Sequence, residues 1–184
     1  MRSLQFQLSR QDRRKDNRSS QVPLSQEVQK DLCWWSDTKI LLQGWSLAAS
    51  NPNLFLYMDA SMSGWGASML DAEVRGIWSI QDQQEHITLL ELRGIRLGLQ
   101  AFTDAFQGKS VVVLLDNTMT VSYIKKAGGT RSALLNQEAQ KTLQWAEENS
   151  VTILTQLVRG ANNVLADALS KKNHTPSTEW VLHQ

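Results

Sequence analysis

Apolar and polar positions alternate along residues 54 to 70 in the pattern of a β-hairpin. The run Leu54-Phe55-Leu56-Tyr57-Met58 ends in Asp59, a turn of small residues follows, and a second segment alternates Trp65, Ala67 and Met69 with small or polar neighbours. Beyond a turn at Asp71 and Ala72, residues 73 to 80 carry Val74, Ile77 and Trp78, enough for a third short strand that completes an antiparallel meander. Residues 86 to 106 then predict the longest helix, because Leu92, Ile95, Leu99, Phe102 and Phe106 recur at steps of three and four. Glu91, Gly94, Gly98, Ala101 and Ala105 form a second stripe beside the first. Apart from the glutamate this stripe is small enough for the helix backbone to lie close against a sheet.

Val111 to Leu115 is an unbroken, β-branched apolar run, the signature of a strand buried on both faces, and it stops at Asp116 and Asn117. A short helical stretch reaches the Gly128-Gly129 turn, and residues 132 to 149 predict another helix with Leu135, Ala139, Leu143 and Ala146 on one side. Val151 to Val158 reads as a fifth strand, and Asn162 or Asn163 starts a last helix through Val164, Leu165, Ala168 and Leu169. Asp167 lies four residues after Asn163, so both look out from one flank of that helix. Strands joined through helices pair in parallel, so the expected class is α/β, with a five-stranded mixed sheet (the antiparallel meander plus parallel strands) and helices on both faces.

Towards the N-terminus the pattern weakens. Residues 1 to 22 are polar, with Arg13, Arg14, Lys15 and Arg18 close together, and predict a disordered or linker segment. Residues 23 to 50 predict a connecting segment with one helix, capped by Ser25 and carrying a stripe of Leu24, Val28, Leu32 and Trp35. The principal domain then spans 51 to 172, with a tail from 173 to 184.

Composition adds bounds. The chain has 184 residues and an ordinary apolar share of 41%, enough for one core with an appended segment. A net charge of +1 supplies no overall field, so any grip on a polyanion must come from local clusters. Cys33 is the single cysteine, which excludes an intramolecular disulfide or a cysteine-based zinc site and favours a reducing compartment. No run approaches the roughly 20 apolar residues of a membrane span. The expectation is an intracellular protein, cytoplasmic or nuclear, with no membrane partner.

Four acids stand at awkward places: Asp59 and Asp116 at strand ends, Glu91 on the stripe that hugs the sheet, and Asp167 on the last helix. Each has a bland alternative. Asp116 or Asn117 can cap a helix, Asp59 can satisfy turn amides, Glu91 can pair with Arg93, and Asp167 can be solvated. Taken together they carry more, because sites in such sheets collect at the carboxyl ends of parallel strands. Gathered carboxylates repel by several kcal/mol unless cations bridge them, and an oxygen-only set suits Mg²⁺ or Mn²⁺. Two such ions roughly 4 Å apart are suited to phosphodiester hydrolysis.

The series Tyr57-Met58-Asp59-Ala60-Ser61, His86-Ile87-Thr88-Leu89-Leu90-Glu91-Leu92, Val113-Leu114-Leu115-Asp116-Asn117-Thr118 and Gly160 through Ser170 resembles the ribonuclease H domain of retroelement reverse transcriptases. Gly128-Gly129-Thr130-Arg131-Ser132 and Ser177-Thr178-Glu179-Trp180 make it most similar to the DIRS group, the tyrosine-recombinase retroelements. The resemblance implies a ribonuclease H-like fold and an endonuclease that cuts the RNA strand of an RNA/DNA hybrid with two Mg²⁺ ions, Mn²⁺ being the alternative. It implies further that Asp59 bridges both ions, Glu91 and Asp116 hold the one that activates water, and Asp167 completes the other. Asn117, Thr118, Thr130, Arg131 and Asn163 become candidate contacts to the hybrid, and an upstream polymerase domain of the same polyprotein becomes a partner.

The chain also departs from the family. Residues 155 to 162 contain no histidine before the last aspartate, and Leu157 stands where many retroelement copies carry one. The helix after Asp116 leads through Gly128-Gly129 into the next without room for a basic handle. These departures bear on turnover and unassisted hybrid affinity and not on the metal site; the alternative reading, a catalytically silent binding or connection module of the same fold, is opposed by the presence of all four carboxylates. Ser61, Ser63 and Gly64 are expected to keep the turn beside Asp59 small, leaving room for substrate.

Overall fold

The structure, a computed structural model, describes residues 2–11, 23–43, 52–129 and 131–171. In chain order the helices are α1 (Arg2–Gln11), α2 (Gln26–Ser36), α3 (Thr38–Gln43), α4 (Ile87–Ala101), α5 (Thr103–Phe106), α6 (Thr118–Lys125), α7 (Ala133–Glu148) and α8 (Val164–Ser170). The strands are β1 (Leu54–Ala60), β2 (Gly64–Met69), β3 (Ala72–Ile77), β4 (Ser110–Leu115) and β5 (Thr152–Leu157). They form one sheet in the order β3-β2-β1-β4-β5. β1 pairs antiparallel with β2 and β2 with β3, whereas β1 with β4 and β4 with β5 are parallel. This is the mixed sheet that the pattern predicts.

Pleat parity sorts the side chains of β1. Leu56, Met58 and Ala60 are buried under α4, and Phe55, Tyr57 and Asp59 face the other way. The small stripe of α4 makes the contact. A Cβ added to Gly94 would lie 2.8 Å from Met58 Cε, and one added to Gly98 would lie 2.9 Å from Met58 Sδ, so a larger residue at either place would displace the Met58 side chain on which this helix rests. Glu91, one turn earlier on the same stripe, is thereby carried to the carboxyl end of β1. α7 is tied to α4 by a partly buried ion pair, with Arg96 Nε 2.7 Å from Glu138 Oε1.

On the opposite face α8 lies directly on β2. A Cβ on Gly66 would fall 2.3 Å from Leu169 Cβ and 2.8 Å from the Ala166 carbonyl oxygen. The turn before β2 fastens the far end of α8, because the Ser61 hydroxyl donates to the Ser170 carbonyl oxygen at 2.6 Å and that of Ser63 at 3.3 Å. Beyond the small size expected of these serines, their hydroxyls hold a helix end.

Three expectations change. The single helix over 86 to 106 breaks at Phe102, whose φ of −109° and ψ of 27° leave the helical region, and the turn sends Phe106 into the core. Part of the stretch 1 to 22, expected to be unstructured, forms α1. Its order comes from contacts that the composition does not reveal: Gln7 donates to the Pro23 carbonyl oxygen and accepts from Ser25 N, and Asp31 Oδ2 accepts from Ser3 N. Ser25 caps α2 as expected, but of its apolar stripe Val28 is buried while Leu24, Leu32 and Trp35 remain exposed. Residues 12–22, 44–51 and 172–184 lie outside the described residues, and with them the whole tail and the end of the connecting segment. Among the described residues no helix is long and apolar enough to cross a membrane.

Gly66→Ala tests whether close approach fixes α8. Overpacking at this contact is expected to cost about 1–3 kcal/mol in denaturant unfolding. An unchanged midpoint would show that α8 can shift without penalty.

Candidate active site

The strand register brings the first two acids together. Tyr57 of β1 pairs with Leu114 of β4, so two residues on Asp59 and Asp116 stand level at the ends of adjacent parallel strands. Asp116 is exposed where the chain leaves β4, and a Cβ on Gly160, in the β5–α8 loop, would lie 3.5 Å from its Oδ2. Asp59, Glu91, Asp116 and Asn117 line one small cleft with Met58, Ala60 and Leu115.

Glu91 reaches this cleft from α4 and is held there. Thr120, fully buried on α6, donates its hydroxyl to Glu91 Oε2 at 2.5 Å. Asn117 caps α6, accepting through Oδ1 from Met119 N at 2.8 Å, and its side chain also bonds to Glu91. Asp167 comes from the opposite face of the sheet on α8. It is half exposed, and Lys171 Nζ lies 2.7 Å from its carboxylate. Between the two faces, Ser170 Oγ donates to Asp59 Oδ2 at 2.6 Å and also lies 2.9 Å from the Asp167 carbonyl oxygen.

Electrostatics ties the four acids into one unit. Burial pushes the Asp59 carboxyl above its usual range; the Ser170 hydrogen bond opposes that, and the Asp116 and Asp167 charges add to it. Burial likewise raises Glu91, against hydrogen bonds from Thr120 and Asn117 and with repulsion from Asp116 and Asp59. Two acids thus carry their charge at a penalty that a nearby cation would relieve.

The donor chemistry fits a hard divalent cation, since it is oxygen throughout with no histidine or cysteine. Among the described residues, however, no three such side chains already converge on one point at ligand distance. Asp59, Glu91 and Asp116 line the cleft, while Ser170 and Lys171 take up lone pairs of Asp59 and of Asp167 beside it.

The candidate hybrid contacts divide. Asn117 borders the cleft, Thr118 is exposed beside it at the start of α6, and Arg131 is exposed just before α7. Thr130 lies outside the described residues. Asn163 is a correction: it is 2% exposed and spends its amide on the Met58 carbonyl oxygen at 2.9 Å, so it faces the protein interior. Sequence reading missed Thr120, Ser170 and Lys171. A signal for Ser170 existed, since it follows Asn163 by seven and Asp167 by three residues and so shares their helix face.

Solved structures similar to this chain are ribonuclease H domains, and the chain shares their fold. The N-terminal RNase H domain of Rv2228c from Mycobacterium tuberculosis, solved as a fusion with maltose-binding protein, is 19% identical over 63% of this chain and 94% of its own, with a TM-score of 0.51. RNase H1 from the halophilic archaeon Halobacterium salinarum is 16% identical over 63% of this chain and 91% of its own, with a TM-score of 0.51. LC11-RNase H1, solved in complex with an RNA/DNA hybrid, is 13% identical over the same 63% and 91% and has a TM-score of 0.53. No protein-family model matches the chain, and no curated protein does.

Burial of the two acids predicts a pH signature. An acid with a raised folded-state pKa binds its proton more tightly when folded. Stability is therefore lost as pH rises from the ordinary carboxylate range through the raised values. In metal-free buffer, Asp59→Asn should match the parent in melting temperature at the acid end and exceed it increasingly across that window, since asparagine can still accept from Ser170. A difference that does not vary with pH would contradict the burial argument.

Proposed function

We propose that this chain is the ribonuclease H domain of a retroelement reverse transcriptase, most similar to the DIRS group, and that it hydrolyses the RNA strand of RNA/DNA hybrids. The observation that carries this reading is that Asp59, Glu91 and Asp116, from three separate elements, line one cleft at the carboxyl ends of β1 and β4, with Asp167 on α8 near enough for its charge to act on Asp59. The ribonuclease H-like fold supports it, as do the four motifs in the family's order.

In this reading Asp59, together with Glu91 and Asp116 on one side and Asp167 on the other, would hold two divalent cations, Mg²⁺ or Mn²⁺, which would supply a nucleophilic water of lowered pKa and stabilise the leaving oxygen. The chain's own residues do the positioning. Thr120 and Asn117 orient Glu91 towards the cleft, and Ser170 aligns Asp59 while its hydroxyl remains free to turn to the Asp167 carbonyl oxygen. Lys171 offsets the charge of Asp167. Asn117 and Thr118, at the rim of the cleft, contact the minor groove of the hybrid, where 2′-hydroxyls mark the RNA strand. Arg131 and Thr130 contact phosphates. The upstream polymerase domain supplies hybrid affinity that a net charge of +1 does not.

Incubation of the purified chain with labelled RNA/DNA hybrid, duplex RNA and duplex DNA, each with Mg²⁺, Mn²⁺ or chelator, tests the reading. Metal-dependent cutting of the RNA strand of the hybrid is expected. Asp59→Asn and Asp116→Asn should reduce it to the chelator level without lowering the melting temperature, since each removes a repelling charge. Cutting of duplex DNA would overturn the reading. Metal-dependent silence at high protein concentration, with the polymerase domain supplied, would favour the binding-module alternative.

A further inference from the structure

Asn163 sits where three of the four acids can be reached through short connections. Its Nδ2 donates to the carbonyl oxygen of Met58, the residue before Asp59, at 2.9 Å. Its backbone N–H donates to the Gly160 carbonyl oxygen at 2.9 Å, and Gly160 is the residue whose Cβ would face Asp116 Oδ2. Its own carbonyl oxygen accepts from Asp167 N at 3.0 Å. One residue thus joins the end of β1, the loop beside Asp116 and the turn of α8 that bears Asp167.

The side chain is 2% exposed, and its Oδ1 is buried with no hydrogen-bond partner. An orphaned buried acceptor is a standing cost, and removing the amide would only move that cost to the Met58 carbonyl oxygen. What the amide provides and a leucine cannot is a fixed link between β1 and α8, which approach from different layers and share no backbone ladder.

We infer that Asn163 is a positioning residue that sets the separation of Asp59 and Asp167, and with it the affinity for the divalent cation these two acids share. The inference rests on the ribonuclease H reading for its purpose but not for its geometry. It replaces the expectation that Asn163 touches the hybrid. Support for ligands from the surrounding shell is known to matter at this level, where loss of such a partner lowers metal affinity or activity about 10- to 100-fold.

Asn163→Leu exchanges one orphaned acceptor for another, since Oδ1 disappears while the Met58 carbonyl oxygen loses its donor, so the melting temperature in chelator should stay close to that of the parent. Asn163→Ala serves as a second variant that leaves space instead of filling it. Calorimetric titration with Mn²⁺ alone should show affinity about 10- to 100-fold weaker in both. With hybrid, kcat should fall while hybrid affinity measured in chelator is unchanged. Weakened hybrid affinity with Mn²⁺ binding intact would overturn the inference in favour of a substrate contact. Loss of folding in both variants would overturn it in favour of a purely structural role. A parent chain that binds Mn²⁺ but does not cut hybrid would sink the ribonuclease H reading alone, and the Mn²⁺ titrations would still decide on Asn163.

Discussion

Parallel pairing of β1 with β4 in one fixed register sets two aspartates level at the end of neighbouring strands, and much of the molecule can be understood as a response to that constraint. The charges repel, and Asp59 is partly buried as well, so neither solvent nor a protein cation fully relieves it. A one-residue slip would turn Asp59 into the core and expose Met58 and Leu56, which the apolar packing under α4 forbids. Hydrophobic burial on one face thus enforces electrostatic strain at the edge.

The helices deliver the other two acids through the same physical device, close approach over small residues. Gly94 and Gly98 let α4 descend onto Met58, which brings Glu91 to the cleft from one side. Gly66 lets α8 descend onto β2, which brings Asp167 from the other. Hydrogen bonds then fix orientation: Thr120 on Glu91, Ser170 on Asp59, and the Ser61 and Ser63 hydroxyls on the end of α8. The balance between held carboxylates and raised pKa values makes the cleft a place where added positive charge is stabilising.

Much of this frame was legible from the chain alone. An apolar run that stops at an acid betrays a strand end, and period-three-and-four glycines beside an apolar stripe betray a helix that will lie low on a sheet, so Asp59, Asp116 and Glu91 stand out in the sequence itself. Asp167 needed the motif as well as the helix. What escaped were the partners supplied by distant parts of the chain. Ser170 meets Asp59 across 111 residues and Asn163 meets Met58 across 105, and such contacts exist only once α8 has docked. Asn163 was misread because its helix flank was visible while the layer that the flank faces was not. The break at Phe102 escaped for a related reason, since burying Phe106 in the core outweighs the continuation of a good helical pattern.

All of this depends on the four acids acting as one cation site rather than as four separate solutions to local folding. Paramagnetic broadening of NMR resonances on addition of substoichiometric Mn²⁺ addresses that point most directly. Signals of Asp59, Glu91, Asp116 and Asp167, with those of Asn117 and Ser170 beside them, should broaden first and together, and chelator should restore them. Broadening centred elsewhere, or confined to Asp167 alone, would contradict a shared site.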